Sequence, residues 1–241
     1  MKRFPSKANA LAQLRRSGLQ VATVIDVGIR KDTPELRQAF PDCRHVLFEP
    51  IVEHFEAIRD NYRNMDYSLE NIALTDHDGE LELRLFHRTG SEEITHVAAV
   101  QKKAADTRTV AAMTLDSYIS QHPQAAPYLV KLDVDGHETA ILHGSVSTLK
   151  ETACVIVEAT MRKIPERVEL LAARGFRIWD IVDFAYRNGA LWQVDLIFLA
   201  EREIAANPAF TSTMIQGETV QATSWFSLTA EFQKTIRAWE P

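Results

Sequence analysis

Six residues near the middle of the chain, Asp133-Val134-Asp135-Gly136-His137-Glu138, gather four ionisable side chains. They close the apolar run YLVKLDV at 128–134, which predicts the carboxyl end of a buried strand, where open α/β sheets bind ligands. Such a group can move protons. His137 titrates near neutral pH and is the first candidate for a general base, with Asp135 and Glu138 as rivals. Glu138 also suits a plainer role, as a first-turn acid stabilising the next helix. The spacing does not make a calcium loop: counted from Asp133, the sixth position holds Glu138 instead of glycine, and the twelfth holds Gly144. The eight histidines are scattered, and His137 and His143 fall on different helix faces, so no metal site is expected.

A second set of residues suits a ligand that carries a sugar. The run VATVIDV at 21–27 contains Asp26 and is followed by Gly28, and HVLFE at 45–49 ends in Glu49, 23 residues after Asp26. An acid at about that interval reaches a ribose in doubly wound sheets. A carboxylate accepts both hydrogen bonds of a cis-diol with no donor left over. The plainer alternative is an acid that merely closes a strand. Gly28 lets the backbone turn tightly beside a ligand. A dinucleotide site would carry three glycines here. The loop instead reads Gly28-Ile29-Arg30-Lys31-Asp32, which favours a nucleoside cofactor without a pyrophosphate.

Elements must hold these residues in place. Thr33-Pro34-Glu35 reads as N-cap, first helical position and acidic first turn. Ile51, Phe55, Ile58 and Tyr62 line one face of the next helix. A strand is expected over 67–74, and ELELRLF at 80–86 alternates like a half-exposed strand after the Asp78-Gly79 turn. Residues 87–113 read as mostly loop, and TLDSYI at 114–119 opens a short helix. The helix after 128–134 carries Leu142, Val146 and Leu149 on one stripe. CVIVEA at 154–159 is a strand, and Ile164, Val168 and Leu171 line a helix that Gly175 ends. RIWDIV at 177–182 and WQVDLIFLA at 192–200 meet around Asn188-Gly189 and pair antiparallel, for want of a helix-length spacer. Ala8, Leu11 and Leu14 predict an amphipathic N-terminal helix.

This alternation predicts an α/β fold: a mostly parallel seven-stranded sheet with an antiparallel last strand and helices on both faces. The organisation expected is an N-terminal helical extension over 1–20, one domain over 21–200 and a C-terminal extension over 201–241. At 241 residues, 46% apolar and 25% charged, the chain has globular averages, and disorder or a fibre is excluded. A net charge of −6 lacks the basic excess of a nucleic-acid binder. Cys43 and Cys154 form no CxxC and imply no disulfide framework. The basic N-terminus lacks the apolar core of a signal peptide and no apolar run approaches a membrane span, so a soluble cytoplasmic protein is expected.

Taken in order, VIDVG at 24–28, HVLFEP at 45–50, NIALTDHDG at 71–79, TLDSYI at 114–119, LVKLDVDGHE at 129–138 and VIVEA at 155–159 resemble the successive motifs of the FkbM family. These are S-adenosylmethionine-dependent methyltransferases on the class I, Rossmann-like fold, and the resemblance covers roughly residues 21–200. It implies that Asp26 and Gly28 lie under the methionine portion of S-adenosylmethionine, and that Glu49, followed by Pro50, holds the ribose. It puts Asn71 to Ala73 near the adenine and Asp133 at the sulfonium region or the acceptor. Methyl transfer to oxygen is an in-line displacement governed by positioning, and a hydroxyl acceptor gains from a base. The family commonly has a small residue where His137 stands, so that role is not inherited. The family's first loop reads Asp-Val-Gly-Ala-Asn-x-Gly, and this chain departs after Gly28. Arg30 or Lys31 is expected to offset the lost glycine by pairing with the cofactor's carboxylate; the alternative is two solvated cations.

The acceptor implied is a hydroxyl of a sugar, glycan or natural product; the charge balance and the lack of a long apolar run predict no nucleic-acid partner and no membrane span. Arg84, Arg88, Lys102, Lys103 and Arg108 fall in or beside a segment expected to form a flap over the pocket, and would suit an anionic acceptor; the alternative is a solvated basic loop. Trp192 and Trp225 could stack on a sugar ring, or belong to the core. Two other functions compete. Strand-Asp-x-Asp-Gly resembles the first motif of magnesium-dependent haloacid-dehalogenase-type phosphatases, although no later acidic pair completes it. An eroded first loop also suits a binding subunit that has lost its cofactor, against which stands the retained pair Glu49 and Asp133.

Overall fold

The computed structural model describes residues 4–87, 89, 94–99 and 106–210. Helix α1 (Lys7–Arg16) is capped by Ser6, whose hydroxyl accepts from the Asn9 N–H at 3.3 Å. Then follow β1 (Thr23–Val27), α2 (Pro34–Ala39), β2 (Arg44–Phe48), α3 (Phe55–Tyr62) and β3 (Tyr67–Glu70). Strands β4 (Ala73–Leu74), β5 (Gly79–His87), β6 (Ile94–Ala99) and β7 (Thr107–Met113) come next. The chain continues through α4 (Leu115–Gln121), β8 (Tyr128–Leu132), α5 (Glu138–His143) and β9 (Thr152–Thr160). It proceeds with α6 (Ile164–Ala172), β10 (Phe176–Arg187), β11 (Ala190–Ala200) and α7 (Glu201–Ala206).

The main sheet runs β10-β11-β9-β8-β1-β2-β3 and is parallel except for β11, which is antiparallel to both its neighbours. Every residue of β1 and β8 is buried, as expected of parallel strands covered on both faces. One face packs Ile25, Val130 and Val155 against α4, α5 and α6 through Leu115, Ile141 and Leu171. The other packs Val24, Leu129 and Ile156 against α1 and α2 through Leu11, Leu14 and Leu36. The β10–β11 turn at Asn188-Gly189 has φ of 52° and 78°, the left-handed pair that a two-residue hairpin needs.

The structure differs from the sequence expectations at four places. Residues 67–74 are not one strand: the Asn71 side chain donates to the Glu49 and Pro50 carbonyls at 3.3 and 3.0 Å, and the chain leaves β3 there. The supposed loop 87–113 contains β6 and β7, which join β4 and β5 in a second sheet of order β4-β7-β5-β6. Leu142, Val146 and Leu149 do not share one helix, because α5 stops at His143, Val146 is exposed and Leu149 lies in a separate short turn. In α1, Ala10 is buried and Ala8 is exposed, and the helix seals the main core. No helix among the described residues is long and apolar enough to cross a membrane.

Candidate functional site

The carboxyl ends of β1, β2 and β8 meet where the chain leaves β1 toward both sides, the usual crevice of an open α/β sheet. Backbone hydrogen bonds stitch them: Gly28 N–H donates to Phe48 O, and Asp133 N–H to Val27 O, each at 3.1 Å. Gly28 has φ of +79°, and a Cβ there would lie 2.0 Å from the Asp133 carbonyl oxygen. Its small size therefore serves the approach of the β8 loop as well as the turn.

A cavity of about 350 Å³ opens at this junction, within the range that holds small molecules. Gly28, Arg30, Glu49, Pro50, Ala73, Asp133, Asp135 and His137 all line it. Two expected contacts do not. Asn71 is spent on the carbonyls named above, and Asp26 lies one layer deeper, fully buried, its carboxylate 3.3 Å from Lys131 Nζ. Asp26 and Asn71 thus lie behind the residues that line the cavity. Of the two cations in the first loop, Arg30 lines the cavity and Lys31 does not.

Glu49 is 3% exposed, and its oxygens accept from the backbone N–H groups of Arg30 and Ile51, each at 2.8 Å. A carboxylate has about four lone-pair sites, so each oxygen retains one, with His54 Nδ1 3.5 Å from Oε1. Arg30 adopts a left-handed φ of 57° where the family pattern carries Asn, and that turn aims its N–H at Glu49. Asp32, at the position of the family's second glycine, is not among the residues of positive φ, so its backbone does not need glycine. Its carboxylate instead grips Arg37 at 2.7 and 2.6 Å.

Several functional neighbours escaped the sequence reading. Lys131 is buried, and its ammonium sits 3.3 Å from the carboxylates of both Asp26 and Asp133. Burial disfavours that charge, but the two carboxylates outweigh it and hold the pKa above the ordinary lysine value. Burial likewise opposes ionisation of Asp133, yet the charges of Lys131 and Lys7 keep it below the usual carboxylate range. Burial, and then the nearby Asp133 charge, push Glu158 up to about 9. The period-two pattern of β8 puts Lys131 and Asp133 on one side, a signal that was legible; the pairing with Asp26 required the sheet register.

Glu158 gives a stability prediction. Its folded pKa lies above its unfolded one, so folding holds a proton that the unfolded chain releases between about pH 4.5 and about 9, and stability falls as pH rises through that window. Glu158→Gln removes this loss and keeps an acceptor for the Gln193 side chain. Its Tm gain over wild type at pH 8 is expected to exceed about 2–4 °C, the shift that about 1 kcal/mol produces at this chain length, with a smaller gain at pH 5. Equal shifts at both pH values, by calorimetric scanning, would refute it.

Glu138 is no base. Its carboxylate is 1% exposed, accepts from the Val134 and Gly136 N–H groups at 3.3 and 3.1 Å, and pairs with buried Arg167. It fastens the loop that carries Asp133, Asp135 and His137. His54, also missed, lines the cavity with Nε2 3.2 Å from Ile94 O. Burial depresses the His137 pKa below the usual imidazole value, so the ring is neutral at pH 7.

Leu81 and Leu83 of β5 with Val97 and Ala99 of β6 form an apolar wall over the cavity. Of the expected basic residues, Arg108 holds Glu53 through two hydrogen bonds of 2.7 Å, and Arg84 covers the Phe86 ring at 4.7 Å. Trp192 sits outside the cavity lining, under Arg187. Arg88, Lys102, Lys103, Trp225 and most of the 201–241 extension lie outside the described residues. Among the described residues no three His, Cys, Asp or Glu side chains gather as a metal-binding group.

No curated protein matches the chain. An FkbM methyltransferase from Methylobacillus flagellatus KT shares the fold, with a TM-score of 0.52 and 12% identity over 81% of this chain and 48% of that one. This chain thus spans about half the length of that relative. A precorrin-6y C5,15-methyltransferase from Geobacter metallireducens GS-15 has a TM-score of 0.45 and 13% identity, over 80% of this chain and 86% of its own. A magnesium protoporphyrin IX methyltransferase from Synechocystis PCC 6803, solved with bound SAM, has a TM-score of 0.45 and 8% identity, over 80% and 77%. The phosphatase alternative gains no support from any of these. The family model of the methyltransferase FkbM domain matches residues 26–178, more than half of the chain and all the strand ends described above, so the protein belongs to the FkbM methyltransferase family.

Proposed function

We propose that the protein uses S-adenosylmethionine to methylate a hydroxyl of a small molecule or glycan, with His137 as the base. The observation that carries this is one cavity lined at once by Gly28, Glu49, Ala73, Asp133 and His137. The free lone pairs of Glu49 suit a ribose diol. Arg30 suits the carboxylate of the methionine portion, Ile72 and Ala73 a flat apolar base, and Asp133 the cationic centre. The cofactor supplies, when bound, a methyl group activated by a positively charged sulfur. The protein's own residues then have two tasks: to align the acceptor oxygen and to accept its proton. The apolar wall excludes water from that line.

Calorimetric titration with S-adenosylmethionine and S-adenosylhomocysteine tests this. Micromolar binding is expected, weakened more than about tenfold in Glu49→Ala, where a charge-assisted hydrogen-bonding group is lost. Because Glu49 also anchors two backbone N–H groups, Arg30→Ala is the cleaner control: about tenfold weaker binding with an unchanged Tm. Absence of binding by wild type overturns the proposal. Acceptors are then screened with labelled cofactor against sugars, glycans, natural products and RNA oligonucleotides.

A further inference from the structure

His137 is bonded through one ring nitrogen only. Nε2 lies 2.8 Å from Thr75 Oγ1, and Nδ1 has no hydrogen-bond partner among the described residues. Thr75 is fully buried and does not line the cavity, whereas His137 does, which leaves Nδ1 as the nitrogen available to a ligand. The placement of Thr75 is enforced from two sides. Its N–H donates to Met113 O at 3.0 Å, and α5 ends against it at Gly144, where a Cβ would lie 2.3 Å from the Thr75 carbonyl oxygen.

The Thr75 hydroxyl has one proton and two candidate acceptors. Asp76 Oδ1 lies 3.2 Å away, in a carboxylate that also receives His77 Nδ1 at 2.7 Å. Were the proton given to His137, two oxygens bearing lone pairs would face each other across that 3.2 Å. The charged acceptor forms the stronger bond. Thr75 therefore donates to Asp76 and accepts from His137 Nε2–H.

We propose that Thr75 and Asp76 form an orienting chain that fixes His137 as the Nε2–H tautomer, so that Nδ1 is the atom that takes the acceptor's proton. This rests on the methyltransferase reading given above. In the step, the acceptor O–H bond breaks, its proton forms the Nδ1–H bond, and neutral imidazole becomes imidazolium. The O–H pair stays on oxygen; with S-adenosylmethionine bound, an oxygen pair would form the new bond to the methyl carbon as the carbon–sulfur bond broke, the pair of that bond leaving with sulfur. The Asp76 charge, relayed through Thr75, stabilises the cation that results. Thr75 and Asp76 are positioning residues; neither touches the acceptor.

Long-range 1H–15N correlation spectra of uniformly 15N-labelled protein report which imidazole nitrogen carries the proton, and His137→Gln assigns the signal by its loss. Wild type is expected as Nε2–H. Thr75→Val, which keeps shape and removes the hydroxyl, is expected to shift the tautomer ratio about fivefold toward Nδ1–H, the worth of one net hydrogen bond. Thr75→Ser restores it. If Thr75→Val does not fold, Asp76→Asn at the exposed carboxylate is read for the same shift. A wild-type ring that is mainly Nδ1–H, or a ratio indifferent to the variant, overturns the orienting chain. Titration of the same samples with S-adenosylhomocysteine separates the failures. Lost binding in wild type removes the methyltransferase reading, and retained binding with the wrong tautomer removes only this inference.

Discussion

In Arg167→Met the free energy of unfolding falls by about 3–5 kcal/mol, the loss typical when one partner of a buried ion pair is removed. Arg167 and Glu138 are each 1% exposed, so a thioether in place of the guanidinium would leave a carboxylate without its counter-charge in a dry site. The guanidinium also donates to the Glu158 carbonyl and the Thr139 hydroxyl, each at 3.2 Å, and so ties α6 to β9 and α5. Urea denaturation measures the loss. The double variant Arg167→Met with Glu138→Gln is expected to recover part of it, because no charge is then stranded. A single variant within about 1 kcal/mol of wild type, the scale of an exposed pair, would refute the role. The same variant reports on the site, since Glu138 holds the Val134 and Gly136 amides that shape the loop of Asp133, Asp135 and His137.

The second large effect is catalytic. His137→Ala is expected to lower kcat by about 10²–10⁴, the usual contribution of a positioned base, with S-adenosylhomocysteine affinity within about threefold of wild type, since the base binds the acceptor side. The pH profile gives a further check. Burial depresses the His137 pKa below 6.5, so the wild-type rate is level through neutrality and declines only on the acid side, where the ring protonates and loses its acceptor. His137→Ala loses that acid limb. An unchanged kcat, or a limb that survives the substitution, would transfer the role to Asp135 or Asp133.

The sequence and the structure divide the work by range. The strands at 21–27, 45–49, 128–134 and 154–159 were legible because a parallel strand covered on both faces is a continuous β-branched apolar run. Once these are ordered, the strand ends carry Gly28, Glu49, Asp133 and His137 to one place, and local signals alone suffice to expect a site there. The second sheet was not legible. In β7 only Ala112 is buried, so its sequence has no strong alternation, and its pairing with β4 and β5 spans distances along the chain that no local pattern encodes.

Roles within the site divide in the same way. Asp26, Asp133 and Glu138 are all carboxylates in strand-end motifs, and no local pattern shows which of them a distant cation engages. The tertiary structure separates them: Asp26 and Asp133 share Lys131, Glu138 meets Arg167 29 residues on, and of the three Asp133 alone lines the cavity. His137 likewise meets its one hydrogen-bond partner among the described residues in Thr75, 62 residues before it. The sequence by itself determined the sheet, the strand ends and the residue types available there, because burial and turn preferences act over a few residues. Which of those side chains are free to act was decided only by tertiary structure, because the charge or hydrogen bond that engages each one comes from a distant part of the chain.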